Sequence, residues 1–173
     1  MPERNEMVTV RPILIYASAL IISPALLSCS RTAKDPDCVS REALTNVKLI
    51  IAADRGDVKI MSEMIKAGAN VNISDDVFGT PVAAAASSAN YEAVKLLVDR
   101  GADVNIPDGH GMTPLMSAAL SGNPEVVRLL LSKGADANAT NKKRSGKLTA
   151  LVIARFKKNE AIVKLLEDGG AKE

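Results

Sequence analysis

A short segment that begins with Gly-Ala recurs along this chain at a fixed interval. Gly68, Gly101 and Gly134 each begin such a segment, and the interval is 33 residues both times. A Thr-Pro pair that begins at Thr80 returns after the same interval at Thr113. Repeats of this length are single supersecondary units, and each buries its apolar face only by stacking on its neighbours. The period therefore restricts the fold to a stack of similar units.

A fourth unit follows, with its landmarks displaced. Thr149 and Gly170 lie 36 residues after their counterparts in the third unit, so three extra residues fall in the 139–148 loop. In the first unit Val47 and Lys48 replace the Thr-Pro pair, which indicates a divergent, cap-like repeat. The sequence predicts a repeat domain over residues 40–173. Its repeats are expected at about 40–72, 73–105, 106–138 and 139–173.

Apolar residues at helical spacing occupy the second half of every unit. In the third unit they are Val126, Val127, Leu129 and Leu130, which form one stripe of a short amphipathic helix. We expect Leu129 to be fully buried in the stack. Each unit then reads as turn, helix, turn, helix and loop, with Thr-Pro beginning the first helix and the Gly of Gly-Ala ending the second. The N-caps expected for the second helices are Asp57, Asn90 and Asn123.

The best-formed unit is TPLMSAALSGNPEVVRLLLSKGADAN, which spans Thr113–Asn138. It resembles the ankyrin repeat, and the resemblance extends over about residues 40–171. The resemblance implies an all-α ankyrin-repeat solenoid of about four helix-turn-helix repeats with hairpin loops. The histidine that the family usually has after Thr-Pro-Leu is replaced here, so we expect somewhat less rigid repeats. The replacing residues are Ala83, Met116 and Val152.

The resemblance also implies that the protein binds another protein through a concave face, made of hairpin-loop tips and the exposed side of each first helix. The positions that match the family's variable contacts are Asp54, Arg55, Asp76, Val77, Ser87, Ser88, Gly109, His110, Met112, Leu120, Ser121, Lys143, Arg144, Phe156 and Lys157. Interfaces use apolar or aromatic side chains at exposed tips as anchors, and the expected anchors are Val77, Phe78, His110, Met112 and Phe156. Single exposed apolar residues are common on any surface, so the expectation rests on the group.

Composition excludes several other classes of function. The chain has no Trp, two Phe, two Tyr and a net charge of +2, and it therefore lacks the stacking rings and basic excess of nucleic-acid binders. One His and two Cys cannot form a zinc site by themselves. His110 has no evident triad partner. We expect a monomer with no nucleic acid, metal, cofactor or small-molecule substrate, and no enzyme activity; a hydrolase with a dispersed site is the alternative of another class.

Basic residues are concentrated near the inserted loop. Lys142, Lys143, Arg144 and Lys147 lie in it, and Arg155, Lys157 and Lys158 follow one helix later. Such a run suits an acidic partner surface or lipid head groups. A solvated charged face explains it equally well.

The N-terminal segment has the layout of a signal peptide. Residues 13–27 are fifteen residues without a charge, preceded by Arg11 and followed by Ser28 and Cys29. This run is shorter than the roughly 20 residues of a membrane-spanning helix. The initiator is Met1 or Met7, since a start at Met7 removes two acidic residues from the segment.

The sequence LLSC, which ends at Cys29, resembles the bacterial lipobox. The resemblance implies removal of residues 1–28, lipidation of Cys29 and a lipidated linker over residues 29–39. Ser30 after the cysteine implies the inner leaflet of the outer membrane, facing the periplasm, with membrane contact through the lipid alone. The alternative is a secreted or soluble periplasmic protein in which Cys29 pairs with Cys38.

These features favour a lipid-anchored ankyrin-repeat module that binds a protein in the periplasm. The more specific expectation is an immunity protein that neutralises an antibacterial toxin by sequestration, since small lipid-anchored ankyrin proteins resemble immunity partners of secreted effectors. The alternative is an accessory protein that stabilises a periplasmic enzyme such as a catalase.

Overall fold

The computed structural model describes residues 41–143 and 148–172. This part of the chain forms eight α-helices, and its strand pairing is limited to an isolated bridge between Asp75 and Gly79. In chain order the helices are α1 Arg41–Arg55, α2 Val58–Lys66, α3 Pro81–Ser87, α4 Tyr91–Asp99, α5 Pro114–Ser121, α6 Pro124–Ser132, α7 Ala150–Phe156 and α8 Glu160–Asp168. The predicted all-α architecture of about four helix-turn-helix repeats is confirmed.

Some of the predicted features fall on residues outside these two ranges. The signal peptide, the lipidation site Cys29, the linker and Arg144 all lie outside the described ranges. Within those ranges, none of the helices is long and apolar enough to cross a membrane.

Side-chain caps fix where the helices begin. The Thr80 hydroxyl accepts a hydrogen bond from the backbone N–H of Ala83 at 3.1 Å, and Thr113 and Thr149 cap α5 and α7 in the same way. These bonds satisfy N–H groups that a helix leaves without partners in its first turn. The second helices have the predicted caps and one more. Their N-cap residues are Asp57, Asn90, Asn123 and Asn159.

The helices form two layers. The first helices of the repeats, α1, α3, α5 and α7, lie side by side, and each packs against the second helix of its own repeat. Fully buried alanines on α3 and α5, such as Ala85 and Ala118, let neighbouring first helices approach closely. The second helices α2, α4, α6 and α8 are in looser contact with one another. The first-helix layer is thus the tighter one, and we call the exposed side of this layer, together with the loop tips, the inner face.

The buried stripe of the second helices differs from the prediction by one position. In α6 Val126, Val127 and Leu130 are fully buried, whereas Leu129 is only half-buried. Successive residues of a helix are rotated by about 100° around its axis. The centre of the buried face of α6 lies between Val126 and Val127, and Leu129 lies at the edge of that face. The expectation that Leu129 is fully buried was therefore wrong, and Leu130 takes that place.

The first repeat is built differently from the others, as Val47 and Lys48 led us to expect. Helix α1 has 15 residues, against 7 in α3. Its N-terminal extension brings in Asn46, which is buried and accepts a hydrogen bond at its Oδ1 from the backbone N–H of Asn70, at 2.8 Å. In the later repeats, the backbone N–H equivalent to that of Asn70 bonds to an asparagine of the preceding repeat. In the first repeat, Asn46 of the same repeat is the acceptor.

A ladder of asparagine side chains joins the later repeats in the same way, just after the C-terminal ends of the second helices. The Asn72 amide donates through Nδ2 to the carbonyl oxygen of Gly101 and accepts at Oδ1 from the N–H of Asp103, at 3.3 and 2.7 Å. Asn105 and Asn138 make the same pair of bonds to the third and fourth repeats. We call Asn72, Asn105 and Asn138 the asparagine ladder. Each member satisfies two backbone groups of its neighbour and fixes the spacing between repeats.

Candidate functional site

The inner face presents one equivalent side chain from the last turn of each first helix. These are Asp54, Ser87, Leu120 and Phe156, which are 33, 33 and 36 residues apart, and all four are exposed. The next position along each helix is also in phase. Its residues are Arg55, Ser88, Ser121 and Lys157. The structure therefore brings eight of the predicted contact residues into two rows across the stack.

The first row changes from polar to apolar along the stack. Leu120 is 48% exposed and Phe156 is 84% exposed. One turn earlier on α7, Val152 is 47% exposed and shares a face with Phe156 because the two are four residues apart. We call Leu120, Val152 and Phe156 the apolar ridge. Val152 was not among the predicted contacts, although its spacing of four residues from Phe156 was a signal that could have identified it.

Several polar members of these rows already make contacts between repeats. The Ser88 hydroxyl donates to Oδ1 of Asp54 at 2.7 Å, and the Ser121 hydroxyl donates to the carbonyl oxygen of Ala86 at 2.8 Å. Ser121 is only half-buried, whereas Ser88 and Asp54 are exposed. These side chains therefore help to hold neighbouring first helices together, whereas Leu120 and Phe156 in the first row make no such polar contact.

The tip of the second repeat is a tight turn ordered by an aspartate. Oδ1 of Asp75 accepts hydrogen bonds from the N–H groups of Val77 and Phe78, both at 2.8 Å. Asp75 and Gly79 close the turn with a reciprocal pair of backbone hydrogen bonds. Asp76, Val77 and Phe78 are exposed, with Val77 at 70%. The predicted tip residues of this repeat do lie at the surface.

The third tip has the same aspartate but a different side-chain placement. Oδ1 of Asp108 accepts from the N–H groups of His110 and Met112, at 2.9 and 2.8 Å. His110 is exposed, but Met112 is half-buried and packs against the core. The expectation of Met112 as an exposed anchor was wrong, because the turn directs its side chain back onto the stack. Gly109 is in close contact with the second tip, since a Cβ there would lie 2.4 Å from the carbonyl oxygen of Asp76.

The fourth tip is tethered to the third by a buried asparagine. Asn141 is fully buried; its Nδ2 donates to the carbonyl oxygen of His110 at 3.1 Å, and its Oδ1 accepts from the N–H of Lys143. The ammonium of Lys143 donates to the carbonyl oxygen of Gly109 at 2.6 Å. The sequence reasoning missed Asn141, although it lies 33 residues after Asp108 and so occupies the turn position of the aspartates.

Charge is distributed unevenly over this face. Lys142 and Lys143 on the fourth tip and Lys157 and Lys158 at the C-terminal end of α7 are all exposed. Asp54 and Asp76 are the exposed acidic residues at the other end of the stack. Because Arg55 is also exposed beside Asp54, the first half of the face carries charges of both signs, whereas the exposed charges of the fourth tip and of the end of α7 are all positive.

The described residues offer little for chemistry. Nowhere among them do three His, Cys, Asp or Glu side chains come together in a way that could hold a metal ion. A surface groove of about 450 Å³ lies between α6 and α8, and its lining mixes apolar residues with charges of both signs. It is bordered by Pro124, Glu125, Arg128, Ala161, Lys164, Leu165 and Asp168. That arrangement contains no nucleophile beside a general base, so the inner face remains the candidate site.

Comparison with known proteins agrees with the fold. No curated protein matches this chain. The family model described as ankyrin repeats (3 copies) matches residues 49–141, which is more than half of the chain. Ankyrin repeats are typically binding modules without enzymatic activity, and they generally mediate contacts between proteins. The 33-residue period, the two-layer stack and this match together show that the chain belongs to the ankyrin-repeat family of protein-binding modules.

Proposed function

We propose that this protein binds its partner on the inner face, with the apolar ridge as the principal anchor. The observation that supports the proposal is the exposure of Leu120, Val152 and Phe156 at neighbouring positions of α5 and α7. Burial of such a side chain against a partner contributes roughly 1.5–3 kcal/mol. Three neighbouring side chains of this size are enough to form the centre of a binding site.

Hydrogen bonds between repeats also order the inner face before a partner arrives. The asparagine ladder, the contact from Ser88 to Asp54 and the tether at Asn141 all join one repeat to the next. Every buried polar side-chain atom in the described ranges has a hydrogen-bond partner. A face ordered in advance loses less conformational entropy on binding, which leaves more of the burial energy as affinity.

The proposal extends to location and role. The protein is anchored by lipid on Cys29 after removal of residues 1–28, on the periplasmic side of the outer membrane. There it acts as an immunity protein that sequesters an antibacterial toxin. The apolar segment at residues 13–27 and the LLSC sequence support the anchor, and the combination of such an anchor with a binding face lacking catalytic groups supports sequestration. Protection of cells against a toxin encoded by a neighbouring gene tests the role, and unchanged killing of cells that express the protein would rule it out.

The binding face is tested with a variant that alters only exposed residues. The changes Val77→Ser, Phe78→Ser, Leu120→Ser and Phe156→Ser remove apolar side chains from one tip and two first helices. We expect this variant to lose the native partner in a pull-down from periplasmic extract. A control with Glu92→Gln and Glu125→Gln changes exposed residues of the second helices and should keep the partner. If the control loses the partner and the inner-face variant keeps it, binding uses the other layer.

The anchor is tested separately. Cys29→Ser removes the only thiol at the lipobox, so we expect incorporation of a labelled fatty acid to be lost and the protein to leave the membrane fraction. A matched change at the other cysteine, Cys38→Ser, should leave both unaffected. Undiminished fatty-acid labelling of the Cys29 variant would contradict the lipoprotein assignment.

A further inference from the structure

The apolar ridge is flanked by lysines at both ends of α7. Lys142 and Lys143 lie on the tip that precedes this helix, and Lys157 is its C-cap residue. Helix α7 has 7 residues, which at the rise of an α-helix corresponds to about 10 Å. Val152 and Phe156 therefore lie on a short apolar surface with positive charge at each end.

Most of these positive charges are not neutralised within the described part of the protein. Arg155 forms an ion pair with Glu167 at 3.0 Å, and Lys143 donates to a backbone carbonyl oxygen. Lys142, Lys157 and Lys158 are exposed and have no carboxylate within ion-pair distance among the described residues. Three cations thus remain available around one apolar surface.

The other half of the inner face carries charges of both signs, because Arg55 is exposed together with Asp54 and Asp76. Asp54 and Asp76 are exposed in the first and second repeats, and the first-helix positions between them and the ridge are serines. An acidic partner segment is therefore attracted more strongly to the fourth repeat than to the first two. The charge pattern therefore determines which end of the stack receives such a segment.

We propose that the fourth repeat binds an acidic segment of the partner protein, in which apolar side chains are flanked on both sides by carboxylates. The apolar side chains pack on Leu120, Val152 and Phe156, and the carboxylates face Lys142 on one side and Lys157 and Lys158 on the other. This inference rests on the proposed function and specifies the chemistry of the partner. Attraction between the opposite charges speeds the encounter and fixes the orientation of the segment.

The test uses the full-length protein and two matched synthetic peptides. One peptide has glutamates on both sides of a central leucine and phenylalanine, and the other has lysines in place of the glutamates. We expect fluorescence anisotropy to show that the acidic peptide binds at least about tenfold more tightly. Its affinity should decrease as salt is added, because salt screens exposed charges.

Charge reversal provides the decisive variant. Lys142→Glu with Lys157→Glu should reverse the preference, so that the basic peptide binds more tightly than the acidic one. A gain in affinity for the basic peptide cannot result from loss of folding. The matched control, Lys95→Glu with Lys164→Glu, makes the same change in net charge on exposed positions of the second helices and should keep the preference for the acidic peptide.

Three results would overturn the inference: no binding of the acidic peptide, equal binding of both peptides, or an acidic preference that survives Lys142→Glu with Lys157→Glu. Binding to phosphatidylglycerol vesicles that depends on the same two lysines, without binding to the acidic peptide, would assign the lysines to a lipid surface and overturn it as well. If the native partner still requires Leu120 and Phe156 after any of these results, the proposed function stands and only the acidic segment is wrong. If Leu120→Ser with Phe156→Ser retains the native partner, the proposed function fails as well.

Discussion

The second and fourth repeats have the same internal construction and opposite surfaces. In both, a threonine caps the first helix, an asparagine caps the second, and a leucine at the equivalent position is fully buried, Leu97 in one and Leu166 in the other. On the inner face the second repeat presents Ser87 and an acidic tip, whereas the fourth presents Phe156 among lysines. The comparison separates the residues that build a repeat from the residues of the proposed binding site.

The difference shows that the stack constrains only part of each repeat. Packing against a neighbouring repeat requires small or apolar residues at fixed positions of both helices, so those positions are alike. The exposed position in the last turn of each first helix, which holds Asp54, Ser87, Leu120 or Phe156, is not part of that apolar packing and is free to vary. Repeats two and four are therefore equivalent as structural units and differ as surfaces for a partner.

The prediction with the largest expected effect tests whether the buried interiors of the second and fourth repeats are packed equally well. Leu97→Ala and Leu166→Ala each remove a fully buried side chain, and each should cost about 2–5 kcal/mol of unfolding free energy. Chemical denaturation followed by circular dichroism measures both. The half-buried Leu129 provides the control, since Leu129→Ala should cost clearly less. If Leu166→Ala cost no more than Leu129→Ala, the fourth repeat would not be packed like the second.

A second prediction tests whether the two surfaces contribute unequally to binding. Leu120→Ser with Phe156→Ser should weaken partner binding by about 2 kcal/mol or more, because well-placed apolar anchors dominate interfaces. Val77→Ser with Phe78→Ser should cost less than about 1 kcal/mol, since the second tip has no lysines and lies apart from the ridge. Isothermal titration calorimetry with the purified partner compares the two pairs. Equal losses would mean that the partner covers the whole inner face evenly.

The smallest expected effect concerns the turn between the two helices of a repeat. Repeats one and three have Gly56 and Gly122 there, whereas repeats two and four have Ala89 and Lys158, both at φ 56°. A side chain in the left-handed region is strained, so Ala89→Gly and Lys158→Gly should each stabilise the protein by about 0.5–1 kcal/mol, a shift that thermal melting detects.

The reverse substitution is the matched control for that turn. At Gly122 a Cβ would meet Nδ2 of Asn159 only at an ordinary 3.7 Å, so the cost of Gly122→Ala comes from the backbone and should be about 1 kcal/mol. If both glycine replacements lowered the melting temperature, the strain would be offset by contacts of the Ala89 and Lys158 side chains.

The regular features of this fold could be predicted from the sequence because they recur. The period located the repeats, and the caps and the glycines that end the second helices followed from residue type at the same phase. The glycines Gly68, Gly101 and Gly134 have φ of 92°, 84° and 84°, as that reasoning required.

The features that the sequence reasoning missed depend on where a side chain points in the folded chain, and not on the residue type at a repeat position. Leu129 and Leu130 are equally apolar, and the choice between them depends on a rotation of about 100° around the helix axis. Met112 follows a turn whose closure returns its side chain to the core, and polarity alone does not reveal that. Asn46 and Asn141 act through bonds to backbone groups 24 and 31 residues away, which no local pattern records.

The asparagine ladder also determines how the length of such a protein can change. Each member, such as Asn72, belongs to one repeat and bonds to the backbone of the next, at Gly101 and Asp103. Duplication of a whole 33-residue unit would add one ladder asparagine together with one backbone carbonyl oxygen and one N–H for it to bond. Every junction between repeats would then keep both of its hydrogen bonds. Insertion of part of a unit would be accepted only away from these junctions, and the three extra residues of the fourth unit fall in the 139–148 loop, which contains none of the ladder bonds. The hydrogen bonds between repeats therefore permit this chain to become longer or shorter by whole repeats.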